Sequence, residues 1–443
     1  MNISILGDQA NITTHLNTFI YKFSLILLGI IGLLLIIVVK SKSHKEFDAL
    51  SPLLIYTVVI TTFQLSRLGG AILYKRSKKF APFRYKDIER YGYEPTITFV
   101  IPCKNEEKAI ENTVRKCFEA NYPKEKIEVI VINDGSDDGT INVLNRLAPE
   151  YENLKIIDWK INRGKRHGMA EGFQRASGEI VVQLDSDSYI DPVTFKNLVS
   201  PFYKPEIGAV CAHADPENAD ANWLTRMQAA YYFMSFRILK AAESTFFTVF
   251  CCSGCSSAYR KSIILPILDL WLNEKFLGLP VTWGDDRSLT NWVIKSGYKT
   301  IYTDEVQAYT ICPETFKTFL KQQIRWKKGW FVNSMFASKF VLKRQPFVAL
   351  SYFFPLIFIT LITPFMATRA LIYNPLFLGV LPYYYLTGVF LVAFLMTVYY
   401  RYVARKNKYW PYMFTWSAIN LVCLSFILFY ALATIQNRKW GTR

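Results

Sequence analysis

The sequence contains neither a G-x-G-x-x-G fingerprint nor a G-x-x-x-x-G-K-[ST] loop, which argues against a dinucleotide enzyme and a P-loop NTPase. Charge is scarce: Asp, Glu, Lys and Arg together make 20%, less than a purely soluble enzyme usually carries. Acid is the scarcer sign, with 35 Asp and Glu against 52 Lys and Arg and a formal net charge of +17. Histidine occurs four times without clustering, so the C-x-x-C from Cys252 to Cys255 lacks the partners of a zinc site. The eight cysteines do not form a disulfide pattern either. Cys251, Cys252 and Cys255 are too crowded for independent staples, Cys423 lies in an apolar stretch, and free thiols imply a reducing compartment. Apolar side chains are abundant, at 51% hydrophobic and 16% aromatic over 443 residues. This excludes a disordered chain and fits two or three domains. A chain both apolar and basic points to a membrane protein whose cationic surfaces meet anionic lipid or an anionic substrate. Nucleic acid would explain the charge but not the hydrophobicity, so no nucleic-acid partner is expected.

Five apolar runs stand in two clusters: Phe23–Val39 and Ala49–Leu65, then Phe347–Thr368, Leu376–Tyr400 and Pro411–Ile435. Each approaches the roughly 20 residues that cross a bilayer. The first lacks the basic lead and the cleavage site of a signal peptide. Basic flanks set the orientation. Lys75, Arg76, Lys78, Lys79, Arg84 and Lys86 follow the second run. Phe316–Gln345 carries eight Lys and Arg and no acid, and Arg401, Arg405, Lys406 and Lys408 separate the last two runs. Placing all three clusters in the cytoplasm puts the polar centre there and makes the first two runs a hairpin. Lys40, Lys42 and Lys45 resist this arrangement. An outside N-terminus with the second run flat in the interface would accommodate them.

Between Pro95 and Asp185, short branched segments alternate with helical ones. The strand-like pieces are Thr96–Ile101, Glu128–Ile132, Leu154–Ile157 and Glu179–Leu184. The helical pieces lie near Glu107–Ala120, Asp138–Leu147 and Lys165–Ala176. This pattern predicts a mostly parallel α/β sheet, whose ligands bind at the carboxyl ends of strands. P-C-K-N-E-E (102–107), N-D-G-S-D-D-G (133–139) and D-S-D-S (185–188) fall at those ends. Asp185 and Asp187 offer two hard oxygen ligands suited to Mg²⁺ or Mn²⁺ with a diphosphate. Asn162–His167 (NRGKRH) is a basic loop opening a helix, and Lys165, Arg166 and the helix N-terminus make an anion site. His167 reads as structural. In W-G-D-D-R (283–287), Asp286 beside Asp285 is a candidate base. In Q-Q-I-R-W (322–326), Arg325 suits a leaving phosphate and Trp326 a sugar face. Phe316–Trp330 also reads as an amphipathic helix lying at the membrane interface.

Taken in this order, these residues resemble the processive family-2 glycosyltransferases of membranes: the hyaluronan, chitin, cellulose and poly-N-acetylglucosamine synthases. The match runs from about Pro102 to Trp326. NRGKRH, LDSDSYI, CCSG followed by YR, FLGLPVTWGDDRSLTN and LKQQIRW most resemble hyaluronan synthases. The resemblance implies an α/β GT-A catalytic domain with an α-helical transmembrane bundle. It divides the chain into a transmembrane hairpin (1–75), a cytoplasmic catalytic domain (76–310), interface helices (311–345) and C-terminal transmembrane helices (346–443). It implies UDP-sugar donors, Mg²⁺ or Mn²⁺, a growing polysaccharide and surrounding membrane lipid. At matching positions it implies Asp134 for the uridine, Lys165 and Arg166 near the diphosphate, and Asp185 with the metal ligand Asp187. Asp286 becomes the base, with Asp285 on the substrate side and Gln322, Arg325 and Trp326 at acceptor and diphosphate. Two departures stand out: Cys255 replaces a usual Pro, and Lys327-Lys328-Gly329-Trp330 replaces W-x-K-S-[YF]. Both lie near the acceptor and leave the product open between a two-sugar hyaluronan and a single-sugar polymer. A polyprenyl-phosphate sugar transferase and a non-catalytic sugar-nucleotide sensor are the more distant alternatives.

Overall fold

The computed structural model describes residues 51–76 and 92–437. The run Phe23–Val39, with Lys40, Lys42 and Lys45, lies outside the described residues, as do Lys78, Lys79, Arg84 and Lys86. The described residues divide into two compact units, one of 51–65 with 362–421, the other of 66–76 and 92–361 with 422–437.

Helix α1 (Ser51–Arg76) is continuous over 26 residues and ends on Lys75 and Arg76. In the first unit Leu53, Tyr56, Ala370 and Tyr385 form a buried cluster. There the Tyr56 hydroxyl lies 2.6 Å from Thr363 Oγ1.

The second unit carries the expected alternation: β1 (Ile97–Cys103), α2 (Ile110–Glu119), β2 (Ile127–Asp134), α3 (Thr140–Leu147), β3 (Leu154–Trp159), α4 (Lys165–Arg175) and β4 (Ile180–Gln183). The four strands are parallel, in the order β3-β2-β1-β4. β1 and β2 are buried along their whole length. Both faces of a parallel strand are covered, so its sequence is a near-continuous apolar run rather than an alternation. Each fully buried Ile, Val or Phe contributes about 1.5–3 kcal/mol.

Past β4 the pattern changes. The elements are β5 (Ser188–Ile190), β6 (Ile207–Pro216), α5 (Trp223–Phe233), β7 (Ser257–Arg260), α6 (Asp285–Lys295) and β8 (Lys299–Thr310). The full sheet runs β3-β2-β1-β4-β7-β6-β8-β5. β7 is antiparallel to both β4 and β6, β8 is parallel to β6 and β5 is antiparallel to β8. Thus β7 inserts between the D-S-D strand and the rest of the sheet. The segment leading into β7 is C-C-S-G-C, which therefore arrives at the carboxyl end of β4. The four residues of β7, S-A-Y-R, lack the run of branched apolar residues that marks β4 in the sequence.

Helix α7 (Phe316–Ser338) starts on a Thr315 cap, whose hydroxyl accepts from Thr318 N at 3.3 Å. Three described helices are long and apolar enough to cross a membrane: α8 (Pro346–Leu378), α9 (Tyr383–Val403) and α10 (Tyr412–Ala433). α1 is not among them. Thr57, Thr61, Thr62 and Gln64 dilute the apolar run expected over Ala49–Leu65, and Ser66 and Arg67 follow it directly. All eight cysteines are free.

Candidate active site

The site is built where β2, β4 and the segment before β7 end together. Asp134, the last residue of β2, is buried, and its carboxylate accepts from Arg163 N at 2.6 Å and Gly164 N at 2.9 Å. It thereby fixes the N-R-G-K loop that opens α4. Lys165, the first residue of α4, reaches across to Asp185 and forms an ion pair. Burial pulls the Lys165 pKa down, but Asp185, with Asp286 and Asp285 behind it, outweighs burial and raises it. Lys165 is therefore a firm cation beside the D-S-D carboxylates.

Gly254 connects this group to the candidate base. A Cβ at Gly254 would fall 2.8 Å from both Asp185 Oδ1 and Gln183 Nε2, so a larger residue there would have to displace those side chains. Its N–H donates to Asp286 Oδ2 at 3.1 Å, and its carbonyl accepts from Asp185 N at 3.0 Å. Asp286 Oδ1 takes the Arg287 N–H at 2.9 Å, and the Cys251 thiol lies 3.8 Å from Oδ2. One backbone segment therefore touches both carboxylate motifs, Asp185 on one side and Asp286 on the other.

The neighbouring pairs in sequence separate in space. Arg166 turns into the core: its Nε donates to Asp285 Oδ1 at 2.9 Å and its Nη1 to Trp271 O at 2.9 Å and Glu274 Oε2 at 3.1 Å. Its guanidinium stacks 4.7 Å over the Trp271 ring. Arg166 and Asp285 are only 6% and 4% exposed, so this ion pair is internal. Residues adjacent on a helix point about 100° apart. Lys165 and Asp286 face the site while Arg166 and Asp285 join α4 to α6 behind it.

Helix α7 supplies the opposite wall. Burial lowers the Arg325 pKa, and Asp185, Asp285, Asp286 and Asp187 all act against that. Arg325 thus stands in the field of both carboxylate motifs. Asp187 is half-buried and accepts from Ser188 Oγ at 3.1 Å. The Trp326 ring lies 6.1 Å from Tyr231 of α5, tilted by 33°. Gln322 Oε1 is buried without a hydrogen-bond partner among the described residues, leaving an acceptor for an incoming hydroxyl. His167 is exposed.

Sequence reasoning missed the joint between α6 and α7. Gly284 takes a left-handed conformation (φ 69°) just before α6. It packs on Gly329 of α7, where an added Cβ would meet Gly284 Cα and N at 3.1 Å. Asn333 Nδ2 donates to the Gly329 carbonyl at 2.8 Å and the Gly284 carbonyl at 3.3 Å. Lys328 Nζ donates to the Thr434 and Asn437 carbonyls at 2.6 and 3.1 Å, in the turn that follows α10. The K-K-G-W departure therefore makes a close backbone crossing between α7 and the start of α6. Gly329→Ala is expected to move α6 and cut transfer by about 10²-fold. UDP binding, measured by calorimetry, should stay within a few-fold of the parent.

A mostly parallel sheet with carboxylates, a loop cation and an arginine at its carboxyl edge defines a GT-A glycosyltransferase. Residues 98–267 match the family described as Glycosyl transferase family 2, and the chain belongs to the family-2 glycosyltransferases, as a hexosyltransferase. It is 30% identical over 432 residues to a hyaluronan synthase of Streptococcus pyogenes, covering 96% of this chain and 98% of that protein. It is 27% identical over 360 residues to an N-acetylglucosaminyltransferase of Azorhizobium caulinodans, covering 79% and 87%. Among solved structures, a mannosyltransferase from Pyrobaculum calidifontis in complex with GDP-Man and Mn²⁺ superposes with a TM-score of 0.54 at 21% identity, covering 88% of this chain and all of that one.

Proposed function

We propose that the protein is a processive, inverting membrane glycosyltransferase that polymerises UDP-sugars into a β-linked polysaccharide and exports it. The product in this reading is hyaluronan, made from UDP-N-acetylglucosamine and UDP-glucuronate. The observation that carries the chemistry is Gly254, which touches Asp185 on one side and holds the Asp286 carboxylate on the other. Asp286 takes the proton of the acceptor hydroxyl. The hydroxyl oxygen attacks the anomeric carbon as the bond to the diphosphate breaks, so an α-linked donor yields a β-linked product. Lys165 and Arg325 stabilise the departing UDP, and Gln322 and Trp326 hold the acceptor. Asp134 acts on the uridine side by holding the N-R-G-K loop. Arg166 and Asp285 fix α4 against α6.

Among the described residues no group of three or more His, Cys, Asp or Glu side chains is placed to hold a metal. Asp185 and Asp187 are paired hard-oxygen donors at one strand end and would hold a Mg²⁺ or Mn²⁺. When bound, that ion neutralises charge on the leaving diphosphate.

The same reading divides the chain into an N-terminal membrane hairpin (1–75), a cytoplasmic catalytic domain (76–310), amphipathic interface helices carrying Q-x-x-R-W (311–345) and membrane helices (346–443). α8, α9 and α10 support the last assignment. The growing chain would leave beside them. The full-length likeness to a hyaluronan synthase favours two sugars. A homopolymer of N-acetylglucosamine is the second reading, favoured by the N-acetylglucosaminyltransferase relative. Purified protein given Mg²⁺ or Mn²⁺ and each UDP-sugar, alone and paired, separates the two. Sustained polymer should require both nucleotides and dissolve under hyaluronidase. Long polymer from UDP-N-acetylglucosamine alone would promote the homopolymer.

A further inference from the structure

Asp185, Asp187, Asp285 and Asp286 all act on Arg325, so the site is strongly acidic. A sugar carrying its own carboxylate would be repelled from Asp286 unless a cation stood beside it. Several cations near the site are already engaged. Lys165 pairs with Asp185, and Arg166 with Asp285 and Glu274. Buried Lys240 donates to Ser253 Oγ and lies 3.5 Å from Cys211 Sγ.

Arg287 differs from these. It follows Asp286 in the first turn of α6 and is half-buried. Its backbone N–H holds Asp286. Among the described residues its guanidinium makes no hydrogen bond and no ion pair, although Cys251, Glu243, Asp286 and Tyr352 lie close enough to act on it. Glu243 is not available as its partner. The Glu243 carboxylate accepts from the Tyr352 hydroxyl and from Phe250 N at 3.1 Å, and burial raises its pKa. In the reaction proposed above, the surroundings of Arg287 lie on the acceptor side. Cys251 touches Asp286, and Tyr231, which also feels the Arg287 charge, faces Trp326. A base, a guanidinium, a thiol and two aromatic rings thus border one region. A half-buried guanidinium without a bonded partner is a recognition element waiting for an anion, and its planar fork matches a carboxylate in two parallel bonds.

We propose that Arg287 binds the carboxylate of a uronic acid sugar at the acceptor end of the growing chain, and so sets which acceptor is extended. The inference rests on the two-sugar reading above. An N-acetylglucosamine terminus, which has no carboxylate, would be held by Trp326 and Tyr231.

The test is a cycle between the residue and the carboxylate. Full-length protein in lipid nanodiscs, as parent, Arg287→Gln and Arg287→Lys, is given UDP-N-acetylglucosamine. The acceptors are hyaluronan oligosaccharides ending in glucuronate or in the same sugar with its carboxyl reduced to the alcohol. The parent should prefer the glucuronate end by about 10- to 100-fold, the worth of one charge-assisted pair. Arg287→Gln should lose most of that preference, and Arg287→Lys should keep only part of it. UDP affinity, measured alongside, reports folding. If Arg287→Gln does not fold, the Arg287→Lys ratio decides. A preference unchanged from the parent in either folded variant overturns the proposal. Failure of the two-sugar reading would look different: the parent itself would ignore glucuronate ends and build polymer from UDP-N-acetylglucosamine alone, which also overturns the role given to Arg287.

Discussion

Asp286→Asn is expected to retain UDP binding while sugar transfer falls by about 10²- to 10⁴-fold, the range of general-base catalysis, or further. Both carboxylate oxygens are used in the structure: Oδ2 by the Gly254 N–H at 3.1 Å and Oδ1 by the Arg287 N–H at 2.9 Å. The asparagine amide keeps the shape but cannot take the acceptor's proton. One of its ends becomes an NH₂ facing another donor, so a small reorientation accompanies the chemical loss. Asp286→Glu separates the two effects, since it restores basicity with displaced geometry and should recover part of the rate. Transfer by Asp286→Asn within a few-fold of the parent would remove Asp286 from the role of base.

The second large effect is expected at Asp187. EDTA should stop transfer, and added Mg²⁺ or Mn²⁺ should restore it. Asp187→Ala should weaken donor binding as well as turnover, because an ion held there joins protein and diphosphate. Even groups that merely support a metal ligand cost about 10- to 100-fold in metal affinity when removed, so the ligand itself should cost at least that. Asp185 is a less clean probe. It is paired with Lys165 and crowded by Gly254, so its removal also releases a cation and opens the C-S-G backbone. Titration of UDP against the parent and Asp187→Ala over a range of Mn²⁺ concentrations checks the assignment. Equal UDP affinity with an equal metal requirement would place the ligand elsewhere.

The sequence by itself determined the α/β alternation from β1 to β4, because apolar strand runs and helical spacing are local signals. It also determined that N-D-G-S, D-S-D and G-D-D-R belong to one family of sites, and that apolar helices follow them. Tertiary structure alone decided how those residues are used. Adjacency in a chain does not say which way side chains point. Lys165 and Arg166 diverge, one to Asp185 and the other to Asp285, because consecutive helix positions face different neighbours. Strand β7 was hidden because S-A-Y-R lacks the branched apolar run that marks β4, although its insertion brings Gly254 between Asp185 and Asp286. The Gly284–Gly329 crossing joins residues 45 positions apart. No local pattern encodes such a contact, since its reason is the space a missing side chain leaves for a second backbone. For the same reason, only the folded chain distinguishes the cations that are already paired from Arg287, which is not.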